Sequence, residues 1–253
     1  MQLAQFEVND RLERTHWWFT ARRKILRDLI AEVLPPGSGV VDIGCGTGAN
    51  LASLLDVYRC TGYEPSDDAL RLARERHPAA NFVGGGDIRC VLSEAGTTDM
   101  FLLADVLEHV EEDRRLLADL VRESRPGTFF LLTVPADPAL WSPHDVSHGH
   151  FRRYTSRTFR KLWQGLPVSS LLVSPFNARL YPLVWLQRHV NRLRGRASGL
   201  ADTDVSLPWA PLNKLLFLIF ADESRILLEL LRGARKRGYR RGVSLVALLR
   251  RTQ

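Results

Sequence analysis

The sequence predicts an α/β chain built on a Rossmann-like, mostly parallel sheet, and three observations carry that expectation. A short apolar run, Val40-Val41-Asp42-Ile43, ends in Gly44-Cys45-Gly46-Thr47-Gly48. Three glycines at alternate positions let a chain turn tightly, show bare N–H groups and admit a ligand without meeting a Cβ. Glu64 closes the next apolar run 22 positions after Asp42, about where the acid of a βαβ nucleotide site meets a ribose. Short apolar runs then keep alternating with helical patterns as far as Pro135, the signature of a parallel sheet with crossover helices.

Size and composition bound the rest. With 253 residues the chain is long enough for one α/β domain with an appended element. No stretch approaches the roughly 20 apolar residues that cross a bilayer, and the opening MQLAQFEVNDRLER is too charged for a signal peptide, so a cytoplasmic location is expected. Cys45, Cys60 and Cys90 form no C-x-x-C pair, which points away from a zinc knot or a disulfide framework. The formal charge is +7, yet only four of the 35 basic residues are lysine and the arginines are spread over several helices. A solvated basic surface is therefore preferred to a nucleic-acid interface. An anionic membrane surface or a phosphorylated substrate stays open.

In order, Leu3 to Arg14 and Thr20 to Leu34 read as helices flanking the aromatic cluster His16-Trp17-Trp18-Phe19. Pro35-Pro36-Gly37 ends the second. Ala49 to Leu55 opens a helix after the glycine loop, Tyr58 to Glu64 is the second strand, and Ser66 caps the next helix with Asp67 and Asp68 at its positive end. Asn81 to Val83 is the third strand and Thr98 to Ala104 the fourth. The fourth runs into Asp105-Val106-Leu107-Glu108-His109, at the strand end where open α/β sheets bind ligands. A helix from Glu111 to Ser124 precedes the fifth strand, Phe129 to Pro135.

Trp141 to Tyr154 then gathers His144, His148, His150, Asp145, Arg152 and Arg153 in one loop. A helix from Thr155 to Gln164 and strands Val168 to Ser174 and Val243 to Arg251 complete the sheet. About 70 residues part those two strands, with helical patterns at Leu180 to Leu193 and Leu212 to Leu231 joined by a polar link, Gly195 to Pro211. The expected organisation is an N-terminal helical cap (1–36), a Rossmann-like core (37–176), a helical insert acting as lid or interface (177–240) and a final core strand (241–253).

VVDIGCGTG closely resembles motif I of the class I S-adenosylmethionine (SAM) methyltransferases, and the spans Val40 to Pro135 and the last strand are similar to that family throughout. The resemblance implies a seven-stranded, mostly parallel sheet and S-adenosyl-L-methionine as cofactor. Its binding set would be Trp18, Arg22, Asp42, Gly44, Cys45, Gly46, Gly48, Glu64, Pro65, Asp87, Ile88, Asp105 and Val106. Within it Glu64 takes the ribose, Asp87 and Ile88 the adenine, Trp18 the sulfonium by cation–π attraction, and Arg22 the methionyl carboxylate.

In that fold the loop after strand five overlies the methyl-transfer site. The base is then sought among His109, His144, His148 and His150, and acceptor contacts at Trp141, Arg152, Arg153 and Tyr154. His-Asp-x-x-His-x-His also offers enough ligands for a divalent metal, but methyl transfer does not need one and the metal-free reading is preferred. The implied function is methyl transfer to a small acceptor, apolar with an anionic group, in bacterial secondary or lipid-related metabolism. The long apolar stripe of the insert, followed by basic residues, leaves a homodimer face or a lipid-like substrate contact open.

Two rivals remain. Gly44, Gly46 and Ala49 also fit the G-x-G-x-x-A fingerprint of an NAD(P)-dependent oxidoreductase, which leaves Asp87 and Asp105 unexplained and lacks a Tyr-x-x-x-Lys dyad. A SAM-binding regulator or scaffold would keep the cofactor residues without needing the histidine loop.

Overall fold

In the computed structural model, residues 12–85, 89–194 and 207–253 are described. Asp87, Ile88 and most of the Gly195 to Pro211 link lie outside them, as does most of the helix expected at Leu3 to Arg14.

Seven strands form one sheet: β1 (Gly39–Ile43), β2 (Arg59–Glu64), β3 (Asn81–Gly84), β4 (Met100–Ala104), β5 (Phe129–Pro135), β6 (Val168–Phe176) and β7 (Ser244–Arg251). Their order is β3-β2-β1-β4-β5-β7-β6. Pairings from β3 through β5 are parallel, and β7 enters antiparallel between β5 and β6. The order reverses at β1 and β4, so their carboxyl ends open a crevice where a ligand can enter.

Both faces of this sheet are buried, and each strand divides its side chains between them with a period of two. Met100 and Leu102 of β4 and Val246 and Leu248 of β7 point into one apolar cluster. Their neighbours Phe101, Leu103, Leu245, Ala247 and Leu249 point into the other. The first cluster is closed by α1 (Trp17–Val33), through Ala21, Ile25, Leu26, Leu29 and Ile30.

The helices α2 (Ala49–Ala52), α3 (Asp67–Arg76), α4 (Arg89–Leu92) and α5 (Asp113–Glu123) connect the first five strands. Ser66 caps α3 as expected, its hydroxyl accepting from the Ala69 N–H at 3.4 Å with Asp67 and Asp68 in the first turn. After β5 come two short helices, α6 (Pro143–Ser147) and α7 (Ser156–Lys161). The insert follows as α8 (Tyr181–Arg194), α9 (Ala210–Ala221) and α10 (Glu223–Leu231).

Two local expectations change. The aromatic cluster is the first turn of α1 rather than a link between helices: His16 is its N-cap, its Nδ1 accepting from the Trp18 N–H at 3.2 Å. The single stripe expected over Leu212 to Leu231 breaks at Asp222 into α9 and α10. Glu223 anchors the break, its carboxylate accepting from the backbone N–H groups of Ala178 and Arg179 at 2.8 and 2.9 Å. Phe220, Ala221 and Leu227 thereby join α1 in the first apolar cluster. Among the described residues, no helix is long and apolar enough to cross a membrane.

Candidate active site

The crevice at the carboxyl ends of β1 and β4 is a cavity of about 410 Å³. One wall is Gly44, Cys45, Gly46 and Thr47 with Ala104 and Asp105, and another is Glu108, His109, His144, His148, His150 and Arg153. Trp17, Trp18, Phe19 and Arg22 of α1 and Leu180, Leu183, Val184 and Arg188 of the insert close it. The glycine loop and the histidine loop, about 100 residues apart in sequence, thus meet at one space.

The glycine loop works differently from its sequence expectation. Its amides are not bare: Gly44 and Cys45 donate to the Tyr63 carbonyl at 2.7 and 3.1 Å, Gly46 to Glu64 Oε2 at 2.9 Å, and Gly48 to the Cys45 carbonyl. The parallel register lays β1 against β2, so the loop is tied to β2 before any ligand arrives. What the glycines supply is room. A Cβ on Gly44, already at φ 67°, would stand 2.9 Å from Val106 Cγ2, whereas one on Gly46, at φ 56°, would meet nothing within 4 Å. Val106 is therefore a packing partner of Gly44, and it does not line the cavity. Asp42, Gly48, Glu64 and the exposed Pro65 also lie behind the lining. Glu64 braces the loop, its other oxygen accepting from the Ser66 N–H at 3.0 Å.

Buried charge surrounds this wall. Asp42 is 1% exposed, its Oδ2 has no hydrogen-bond partner among the described residues, and burial pushes its pKa up to about 8. Arg22 pairs with Asp105 and stacks over the Trp18 ring, its Cζ 4.5 Å from the ring centroid. Burial lowers Arg22 to about 10, and the charges of Glu13, Asp42 and Glu108 partly offset that fall. The face of Trp18 expected to hold a sulfonium therefore carries a guanidinium here. Asp105 has φ 60°, a backbone region that non-glycine residues seldom adopt. It is held there by its N–H donating to the Thr133 carbonyl at 3.0 Å, by the Thr133 hydroxyl and by Arg22.

The opposite wall is organised by Asp145, which is 0% exposed. Its Oδ1 accepts from Arg153 Nε at 2.8 Å and from His150 Nδ1 at 2.9 Å, and its Oδ2 accepts from the Ser142 N–H at 2.9 Å. Arg188, reaching across from α8, brings Nη1 within 3.7 Å. Burial alone would raise this carboxyl, but the His150 hydrogen bond and the charges of Arg153 and Arg188 hold it well below the usual carboxylate range. Burial likewise lowers His109 to about 4, His144 well below its ordinary value, and His148 less far. These three imidazoles are neutral at pH 7.

Of the four acceptor contacts expected from the sequence, Arg153 alone lines the cavity. Tyr154 is a core residue, 2% exposed, its hydroxyl donating to Asp113 Oδ2 at 2.6 Å. Arg152 points the same way, to Asp113 Oδ2 at 3.0 Å and the Glu111 carbonyl at 2.9 Å. Trp141 follows the short turn Pro138–Leu140 and is not among the lining residues. Alternation along the chain explains the split, because neighbouring side chains of an extended segment face opposite ways.

Sequence reasoning passed over Glu108, 1% exposed, with an Oε2 that has no partner among the described residues and a pKa raised by burial to about 8. It also missed Glu13, Asn177 and Arg188 on the lining. Glu108 could have been found beside His109; the others come from segments with no local signal.

A methyltransferase-domain family matches residues 17–166, more than half of the chain. The chain belongs to that family. It is a SAM-dependent methyltransferase by family, and S-adenosyl-L-methionine is its cofactor. The carboxylate of Asp105 on the lining and the open face of Gly46 fit a ligand that carries positive charge and must approach the backbone closely.

A trans-aconitate 2-methyltransferase of Azoarcus sp. is 31% identical over 45% of this chain and 46% of its own. A dTDP-3-amino-3,4,6-trideoxy-alpha-D-glucopyranose N,N-dimethyltransferase of Streptomyces venezuelae is 30% identical over 52% and 54%. The chain spans about half the length of these curated relatives. The plantazolicin methyltransferase BpumL, solved with SAH, shares the fold at a TM-score of 0.58 and 16% identity, over 99% of this chain and 90% of its own.

Proposed function

We propose that this methyltransferase moves the methyl group of SAM to a small acceptor with an apolar body and an anionic group. The observation that carries the reading is the single cavity shared by the glycine loop and the imidazole wall. Bound SAM supplies an electrophilic methyl on a sulfonium. The chain's own work is to align the acceptor with it, exclude water and receive a proton.

Asp42, Asp105 and Glu64 are the acids near the glycine loop for the cofactor's cationic and ribose groups, and Arg22 is the cation for its carboxylate. On the acceptor side Arg153 and Arg188 outnumber Asp145, so an excess positive charge favours an anion there. Trp17, Phe19, Leu180, Leu183 and Val184 supply the apolar lining. Leu183 and Leu186 of α8 and Leu215 and Leu218 of α9 are more than half exposed, which supports an apolar acceptor, or a second copy of the chain, meeting the insert. At neutral pH the uncharged imidazoles of His109, His144 and His148 can each take a proton from an acceptor hydroxyl or amine. That the first relative's name is a methyltransferase of trans-aconitate, an acid, is in keeping with an anionic acceptor.

The test is calorimetric titration of SAM against NAD, followed by incubation of the SAM complex with a panel of amphiphilic carboxylates and phosphates. The expected result is SAM binding alone and a mass gain of one methyl on some panel member. Tight SAM binding with no methylated product anywhere in the panel would leave a SAM-binding regulator or scaffold instead.

A further inference from the structure

We propose that Glu108, His109 and His150 form a binding site for one divalent first-row transition-metal ion on the acceptor side of the cavity. One carboxylate oxygen of Glu108 and one ring nitrogen of each histidine lie within 4.8 Å of one another. An ion with bonds of about 2.0–2.2 Å spaces its ligands roughly 3–4 Å apart, so small side-chain rotations close the set.

Two further observations point to an ion. Glu108 is a buried carboxylate that lines the cavity with Oε2 lacking any partner among the described residues, and a buried acceptor left unmade is costly. A cation beside it would satisfy that oxygen. His150 is held as metal-ligating histidines are: Nδ1 is bound to Asp145 Oδ1 at 2.9 Å, which fixes the ring and leaves Nε2 for a metal. Asp145 is itself locked by Arg153 and the Ser142 N–H. The His109 ring meets the His150 ring edge-on with centroids 4.7 Å apart, and His109 hydrogen-bonds the backbone at Gly149. The Phe151 N–H donates to the Glu108 carbonyl at 2.8 Å, clipping the loop that carries His150 to the turn Leu107–His109.

The ligand set differs from the one the loop offers in sequence. His-Asp-x-x-His-x-His places Asp145 among the ligands, yet its oxygens are taken by Arg153, His150 and Ser142. The ion is instead held between two segments, one residue pair after β4 and one histidine 41 positions on. Two nitrogens and one oxygen suit Mn²⁺, Fe²⁺, Co²⁺ or Zn²⁺ better than the all-oxygen shells of Mg²⁺ or Ca²⁺. Three protein ligands leave coordination positions open to the cavity. There the ion would bind an acceptor oxygen and lower the pKa of its proton, a role that rests on the methyl-transfer reading, whereas binding of the ion does not.

The experiment strips the full chain with a chelator and titrates Zn²⁺ and Mn²⁺ by calorimetry, with Co²⁺ absorption as a second readout. One ion per chain is expected, with a visible Co²⁺ ligand-field band. Affinity should fall at least tenfold in His150→Ala, His109→Ala and Glu108→Gln, and should not change in His77→Ala, which lies outside the ligand set. SAM titration and thermal melting on each variant show whether it is folded. Folded Glu108→Gln or His109→Ala protein that binds the ion like the parent overturns the site, as does a parent chain with no stoichiometric binding. Metal binding lost in the variants together with failure to methylate any acceptor upholds the site while removing the proposed function; methylation by a parent chain that binds no ion does the reverse.

Discussion

Asp42, next to last in β1, and Asp145, in α6, are both withdrawn from solvent, at 1% and 0% exposure, and the protein treats their charges in opposite ways. Asp145 is held by Arg153 and His150 on one oxygen and by the Ser142 N–H and hydroxyl on the other, with the Arg188 guanidinium nearby, and its proton is held off far into acid. Asp42 has an oxygen with no partner among the described residues, and burial keeps its proton on until about pH 8. Burial is shared, so the hydrogen-bond donors and the neighbouring charges decide. A satisfied carboxylate is a structural strut for the histidine wall; an unsatisfied one, buried behind the glycine loop, keeps its proton near neutral pH.

Removing the strut has the largest expected effect. Asp145→Ala strands Arg153, buried and 2.8 Å from the lost oxygen, and leaves His150 and the Ser142 N–H without their acceptor. Breaking a buried pair by deleting one partner costs about 3–5 kcal/mol. Chemical denaturation reads it, and an unaltered midpoint would mean the network carries no stability. Asp145 has a folded pKa below its unfolded value, so its contribution is complete above the unfolded pKa, near 3.8. It is lost as pH falls through the lower folded value, and the variant should show a flatter acid limb.

On the glycine-loop wall, Glu64→Ala removes a carboxylate that braces both Gly46 and Ser66. It also removes the acid proposed for the ribose; a hydrogen bond to a charged group is worth about 1.5–3 kcal/mol, so SAM affinity should fall roughly tenfold or more in calorimetry. Equal affinity would take Glu64 out of the cofactor site.

Asp42→Asn is subtler. The folded pKa of about 8 lies above the ordinary aspartate value of 3.8, so the folded state binds the extra proton between those limits. Stability from this group therefore declines as pH rises from 4 to 8. A cationic ligand prefers the ionised form, so wild-type SAM affinity should rise as pH approaches 8, by at most about tenfold per pH unit for one proton. The amide variant should lose that rise and the stability decline together. If both pH profiles persist in Asp42→Asn, another acid is responsible.

The same contrast explains what could be read from sequence. β1, the glycine turn and Glu64 lie within 26 residues, Gly39 to Glu64, and obey local rules of turn geometry and strand pairing, so the cofactor wall is legible. β5 is found to the residue for the same reason, being a continuous apolar run bounded by Gly127 and the Asp137 turn. The imidazole wall needs Glu108 and His109, in the turn Leu107–His109, to meet a loop 41 positions away, and Arg188 to arrive from the insert. No periodicity encodes that meeting. Even the bare amides expected of the glycine loop depend on register, since it is β2 that consumes them.

The smallest expected effect comes from Tyr154, where the loop's polar wealth in sequence suggested acceptor contact. Its ring packs edge-on to Phe159, with centroids 5.9 Å apart, inside the second apolar cluster, and its hydroxyl donates to Asp113. Tyr154→Phe keeps the ring and removes that one hydrogen bond. Asp113 is not stranded, because Arg152 still lies 3.0 Å from the same oxygen. The loss should thus be that of one ordinary buried hydrogen bond, about 1 kcal/mol of stability. SAM affinity and acceptor KM should stay at wild-type values, since the side chain lines no part of the cavity. A raised KM with stability unchanged would return Tyr154 to the acceptor wall and show that the loop rearranges when substrate binds.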